Sequence, residues 1–431
     1  MKFLTALFLL SYACLTLEAD INLIKKENSD SNTTLLVIGG IHGNEPGGYY
    51  APAILATHYK ILSKNLWVIP NLNEESIIKF RRGVHGDMNR KFAHIKKNDK
   101  DKDTVDEIKK IILDPKVSLI LNLHDGHGFY RKKSQGRIYN PKAWGQTCVI
   151  DQCKLLKDKP FCDLNKIAIE VKDNINKKLL KKHHSFNVKN TNTKKDNDKD
   201  MQQSLTYFAI QHLKPAFAIE TSKNLSSVSQ KVFYQLVAIE EYMKIMDINY
   251  TRDFELNNQS IDKIIKNYGT LEINHNILLN LNNIKKSLSY IPIKSTHNSF
   301  KFSNPLGSVK KVRGRYLIYI ANHLVLRLKP QYFKMAQNCP ANYLFEVDGK
   351  KVSAKKASEI FVNDDFKITK SNNMRVNVIG FYKHGVTNES GIKISYKNLN
   401  KQYAVDRHKK VFRVEFYKNN EFCSMIMVHF K

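Results

Sequence analysis

The chain has 431 residues, 42% of them hydrophobic, and its 70 lysines and arginines outnumber 40 acids to leave a formal net charge of +30. That balance calls for anionic partners. The lysines are spread with asparagines along the whole length and no nucleic-acid motif accompanies them, so nucleic acid is excluded and a carboxylate-rich cell wall or an acidic membrane surface fits better.

Met1-Lys2-Phe3 opens an apolar run that continues to Leu17 and gives way to Glu18-Ala19-Asp20. A basic start, an apolar middle and a small-residue exit predict a signal peptide over 1–19, and the run is too short to span a bilayer. Ser11-Tyr12-Ala13-Cys14 lacks the branched aliphatic residue that a lipoprotein cleavage site expects. The chain is therefore read as exported, with no transmembrane anchor in any later stretch.

An apolar strand, Thr34 to Ile38, runs into Gly39-Gly40-Ile41-His42-Gly43-Asn44-Glu45. A neutral imidazole and a carboxylate three residues apart are zinc ligands in waiting, and a catalytic zinc takes three protein ligands with one position open. The same residues also suit an ordinary strand-to-helix turn with a carboxylate in the first helical turn. Downstream, Arg81-Arg82-Gly83-Val84-His85-Gly86 leads into Asp87-Met88-Asn89-Arg90. Next, the strand-length run Val117 to Leu123 ends in His124-Asp125-Gly126-His127-Gly128. A residue just past the carboxyl end of a strand faces the crevice of an α/β sheet, which makes His124 the third ligand, with His127 its rival deeper in the loop. Asp125 is either a partner to a ligand or, the favoured reading, a turn residue.

Trp144 is a candidate wall of a specificity pocket, or else caps the core. Leu164, Ile167, Val171, Ile175 and Leu179 recur at helical spacing, as do Val232, Leu236, Ile239 and Met243. Between these stripes, 181–200 is Lys-, Asn- and Asp-rich and reads as a mobile surface loop. Pro215 to Ile219 is another short apolar strand, ending in Glu220. Without Cys14 the cysteines are odd in number. One disulfide within Cys148, Cys153 and Cys162, and another joining Cys339 to Cys423, suit an oxidising compartment.

From about residue 250 the texture turns to short alternating runs. Arg315–Ile320 meets His323–Leu328 across Ala321-Asn322, a turn suited to a hairpin. Met374–Val378, Ile392–Tyr396 and Phe412–Phe416 alternate at the strand period and predict a small sandwich of immunoglobulin type.

The order His-x-x-Glu, arginine, Asp-Met-Asn-Arg, then a strand ending in His, resembles the zinc carboxypeptidase superfamily, which also contains the aspartoacylase-like deacylases. The resemblance covers about 20–247. It implies Zn2+ on His42, Glu45 and His124, a substrate carboxylate held by Asn89 and Arg90, an oxyanion arginine at Arg82 with Arg81 as rival, and Glu220 as general base. A guanidinium fork binds a carboxylate bidentately, which makes that clamp physically sound. The fold expected is α/β: a zinc-carboxypeptidase-like mixed sheet flanked by helices over 20–250, a small β-rich domain over 251–340, and an immunoglobulin-like β-sandwich over 341–431.

Export and two β-rich appendages make the chain similar to the periplasmic DL-carboxypeptidases that trim peptidoglycan stem peptides and set helical cell shape. Some members carry glutamine where this chain has His42, and histidine favours firmer zinc binding. The resemblance implies release of meso-diaminopimelate from a stem tripeptide, with cell-wall or shape-complex proteins as partners of the β-domains. Two other readings remain at this point: an amide deacylase of the aspartoacylase or succinylglutamate type, and a non-enzymatic wall-binding scaffold.

Overall fold

The computed structural model describes residues 21–28, 31–155, 160–370 and 373–431, so the expected signal segment over 1–19 lies outside the described residues. Seven strands build the central sheet in the spatial order Ile24–Lys26, Asn65–Ile69, Thr34–Ile38, Val117–Gly126, Ala216–Ser222, Thr147–Ile150, Asn187–Asn190. The four inner strands, Asn65–Ile69 to Ala216–Ser222, run parallel. Ile24–Lys26 and Thr147–Ile150 pair antiparallel with their inner neighbours. Every residue of Thr34–Ile38 and Asn65–Ile69 is buried, as parallel strands covered on both faces require.

Helices Pro46–His58, Leu164–Asn176 and Val228–Ile245 pack on one another and on this sheet, while Lys102–Leu113 and Leu205–Gln211 pack on its central strand. The expected stripes are buried faces of two of them: Leu164, Ile167, Val171 and Ile175 on one, and Val232, Leu236, Ile239 and Met243 on the other. Leu179 falls past the end of its helix. No helix among the described residues is long and apolar enough to cross a membrane.

Two expectations need correction. The 181–200 segment is not simply a surface loop, because Asn187–Asn190 adds the last strand to the sheet, parallel to Thr147–Ile150. An edge strand pairs on one side only, so Val188 alone supplies the apolar signal and the run looks like loop. Nor is there a disulfide among Cys148, Cys153 and Cys162, which are all free thiols. Cys148 is buried within the strand Thr147–Ile150 while Cys153 is exposed, so the two side chains lie in different environments. Cys339 and Cys423 are bonded as expected.

After helix Asn258–Lys266 the chain is β-rich. Thr270–Ile273, Ile277–Asn280 and Phe300–Phe302 form one small sheet, and Ser287–Ile293, Gly307–Val312, Arg315–Ile320 and His323–Tyr332 another, which contains the expected hairpin. Two four-stranded sheets then make the sandwich, one of them with Glu421–Phe430 at its centre. That strand faces two cores at once. Phe422, Met425 and Met427 join the hydrophobic cluster shared by the α/β region and the small sheets, while Cys423, Ile426, Val428 and Phe430 join the cluster inside the sandwich. Alternation of side chains across a strand makes this possible, and it welds the sandwich to the rest of the molecule.

Candidate active site

Three strand ends converge at the carboxyl edge of the sheet. His42 and Glu45 follow Thr34–Ile38, with Glu45 at the N-cap of helix Pro46–His58, while His124 and Glu220 are register partners on adjacent parallel strands. The tight loop before His42 needs its glycines. Gly40 has φ +72°, and a Cβ there would lie 2.9 Å from Asn71 Cα and from Pro70 O. Gly126 serves a different end, because a Cβ there would lie 2.6 Å from Trp144 Cβ and 2.7 Å from Glu220 Oε2.

Glu45 Oε2 lies 3.1 Å from His42 Nδ1 and 2.9 Å from His124 Nδ1, and the two imidazole nitrogens are 3.2 Å apart. All three side chains are buried. A tetrahedral ion with N and O ligands at about 2.0–2.1 Å holds its ligand atoms about 3.4 Å apart, so this triangle has the size and donor set that zinc takes. Burial pushes the His124 pKa down and so keeps its imidazole neutral, the ligating form. For His42 burial acts the same way, but the Glu45 and Asp87 carboxylates outweigh it and raise the pKa. Glu45 itself is held well below the usual carboxylate range: burial opposes this, and the two imidazoles overcome it. A divalent cation would take over the role of the proton that these groups share.

Asp87 orients the first ligand. Its Oδ1 sits 2.8 Å from His42 Nε2 and also accepts from the Asn89 amide at 2.9 Å, while Oδ2 accepts from Arg82 Nε at 2.9 Å. A carboxylate on the far nitrogen of a ligating histidine fixes its tautomer and raises its basicity. Asp87→Ala is therefore expected to weaken zinc binding by about 10- to 100-fold, read by competition with a fluorescent chelator. An unchanged affinity would separate Asp87 from the metal.

Asp125 is not a turn residue. It lies inside the strand Val117–Gly126, where its buried carboxylate accepts from the Gly47 amide at 2.9 Å and from the Thr221 hydroxyl. It thus ties the start of the Glu45 helix to the sheet, and burial pushes its pKa up to about 6. Gln235, on helix Val228–Ile245, donates to the His124 carbonyl at 2.7 Å and pins the other ligand strand. Neither tie stands out in the sequence, since both depend on long-range contacts.

A cavity of about 270 Å³ opens above the triad. Arg82, Asn89, Arg90, Trp144 and Glu220 all line it. Arg81 is exposed and not among the lining residues, whereas Arg82 reaches Glu45 Oε1 at 3.2 Å. Lys223 also reaches Glu45 Oε1, at 3.3 Å, a contact the sequence reading missed. His127 lines the cavity but stands outside the three-residue ligand cluster. Asn89 accepts from the Leu205 amide at 2.9 Å, which anchors it to helix Leu205–Gln211. Arg90 is held by the Asn89 carbonyl and Met201, and among the described residues it pairs with no carboxylate. Trp144 is half-buried, with Lys189 Nζ 4.1 Å above its ring.

Burial and the nearby Glu45 carboxylate push the Glu220 pKa up to about 8 in the metal-free site. From pH 4.5 upward an unfolded Glu220 gives up its proton while the folded one keeps it, so stability from this group is complete below 4.5 and is lost as pH rises through about 8. Chelated protein carrying Glu220→Gln is expected to melt at a higher temperature than chelated wild type at pH 8 and alike at pH 4.5. Zinc should shrink the gap, because a nearby cation favours the carboxylate. Equal melting at both pH values would refute the shift.

The comparisons with known proteins agree with this geometry. Residues 2–266 match the family model described as the catalytic region of a carboxypeptidase controlling helical cell shape, and 336–431 match the C-terminal domain of metallo-carboxypeptidase. No curated protein sequence matches. Among solved structures, apo cell shape determinant Csd4 from Helicobacter pylori is 34% identical with a TM-score of 0.87, over 95% of this chain and 100% of that one. The mDAP-bound form of Csd4, a D,L-carboxypeptidase, gives the same identity, coverage and TM-score, and its tripeptide-bound form a TM-score of 0.86. With a two-histidine, one-carboxylate zinc set at the strand ends and both family models matched in order, the chain belongs to the metallocarboxypeptidases that control helical cell shape.

Proposed function

We propose that the protein is a periplasmic DL-carboxypeptidase that removes meso-diaminopimelate from peptidoglycan stem tripeptides, cutting its bond to the γ-linked D-glutamate and leaving a dipeptide. The observation that carries this is the Arg90 guanidinium, which lines the same cavity as the ligand triad and among the described residues makes no close ion pair, so that it keeps donors for a substrate's terminal carboxylate. The likeness to a protein solved with mDAP and with a tripeptide supports the same substrate. Export by the 1–19 segment and division into 20–250, 251–340 and 341–431 belong to this reading, with the two β-rich parts as docking units for cell-wall or shape-complex proteins.

His42, Glu45 and His124 would hold the Zn2+ ion, whose Lewis acidity would activate a water and the scissile carbonyl. Arg90 and Asn89 fix the terminal carboxylate, which sets the distance from that end to the bond that is cut. Glu220, ionised beside the cation, accepts the proton of the attacking water and passes it to the leaving amine. Arg82 neutralises the oxyanion, and binding of substrate draws it from its contact with Glu45. Trp144 walls the pocket. Purified metal-loaded protein incubated with stem tripeptide is expected to release free diaminopimelate, read by mass spectrometry of the digest. Release only from N-acyl amino acids, with the tripeptide intact, would instead identify an amide deacylase.

A further inference from the structure

The floor of the cavity holds a polar group without a partner. Asn122 is 1% exposed, lines the cavity, and among the described residues neither its Oδ1 nor its Nδ2 has a hydrogen-bond partner. Buried amides without partners are rare, and one at the edge of a ligand cavity calls for a ligand. Its register neighbours cannot supply the missing bonds. Asn122 sits between Ile38 and Ala218 in register, and Ala218 sits beside Val149 on the next strand, so the rest of this row is aliphatic. Ala218 in particular leaves the space that a longer side chain would close.

The position of Asn122 also sets a length. It lies two residues before the ligand His124 on one strand, hence on the same face and about 6.6 Å deeper. A substrate residue clamped by its carboxylate and cut at the level of His124 sends its side chain down that face. Diaminopimelate places four carbon–carbon bonds between its two α-carbons, about 5 Å extended. Its distal end then carries an ammonium, which only donates, and a carboxylate, which only accepts. An amide offers one acceptor and one donor group, and so can serve both ends of that zwitterion.

Resting on the stem-peptide reading above, we propose that Asn122 is the specificity-determining residue that recognises the distal amino and carboxyl groups of diaminopimelate, Oδ1 accepting from the ammonium and Nδ2 donating to the carboxylate. Lysine would satisfy Oδ1 alone. An aliphatic end would leave both atoms buried and unpaired, and sites built this way reject the analogue that lacks the polar group.

The test compares stem tripeptides ending in meso-diaminopimelate, L-lysine or L-norleucine, with wild type, Asn122→Leu and Asn122→Ser. Wild type is expected to prefer diaminopimelate over norleucine by about 100-fold in kcat/KM, with lysine between them. Asn122→Leu should bring that preference to within a few-fold by losing the diaminopimelate substrate while keeping the norleucine one. Calorimetry with free diaminopimelate should show its binding weakened in parallel. Asn122→Ser, which keeps a hydroxyl but withdraws it from the floor, carries the same test if the leucine variant does not fold. Preference retained in the variants, or an equal fall on all three substrates, overturns the assignment and leaves the stem-peptide reading standing. Wild type inert toward every tripeptide overturns both.

Discussion

Glu220→Ala is expected to lower turnover of stem tripeptide by about 10³- to 10⁴-fold while the protein still binds one zinc per chain. The separation of these two readouts follows from position. Glu220 is the register partner of His124 and lines the cavity, yet it is not one of the three mutually close ligand side chains. Removing it takes away the proposed proton acceptor and leaves the triangle of His42, Glu45 and His124 in place. The variant should even hold metal-free protein together better at neutral pH, since a carboxyl that burial and Glu45 oppose is gone. Metal content by elemental analysis and initial rates on the same preparation decide the matter. Turnover within tenfold of wild type would remove Glu220 from proton transfer, and loss of zinc would make it a ligand.

The site was legible in the sequence to the extent that local pattern encodes it. Thr34–Ile38, Val117–Gly126 and Ala216–Ser222 each announce themselves as apolar runs, and the residues that follow or end them, His42, Glu45, His124 and Glu220, meet at one cavity. A strand end is a local property, and the convergence of strand ends follows from the topology of a parallel sheet. What stayed hidden depends on contacts between distant residues. Asp125 looked like a turn residue because Asp-Gly is a turn signal, whereas its partners are Gly47 and Thr221. Lys223 and Gln235 gave no signal at all, being one more lysine in a basic chain and one polar position on an apolar helix. Asn122 was read as part of an apolar run. Only its lack of a partner in three dimensions distinguishes it.

The same logic explains the misread edge strand. Asn187–Asn190 contributes backbone hydrogen bonds and little hydrophobic surface, so its composition resembles the loops beside it. Its role in the site is nonetheless direct, because Lys189 lies over the Trp144 ring and donates to the Pro141 and Ala143 carbonyls. The edge strand thus sets the position of the tryptophan at the cavity wall.

Arg90→Ala is expected to lower kcat/KM for stem tripeptide by about 100- to 1000-fold, carried by KM and kcat together, and to leave zinc stoichiometry unchanged. Among the described residues Arg90 forms no close ion pair in the cavity, although Arg82 and Lys223 close by both contact Glu45. A guanidinium held by the Asn89 carbonyl at one nitrogen and by Met201 at another is positioned without a close ion pair, and its remaining donors suit the two oxygens of a terminal carboxylate. Lysine keeps the charge but not the fork, so Arg90→Lys should recover only part of the loss. The decisive control is a substrate whose terminal carboxylate is replaced by an amide. Wild type should discriminate against it by nearly the same factor that Arg90→Ala costs on the acid, and the alanine variant should treat acid and amide alike. If the variant still prefers the free acid by two orders of magnitude, the clamp lies elsewhere, and Arg82, the other arginine in the cavity, becomes the residue to test.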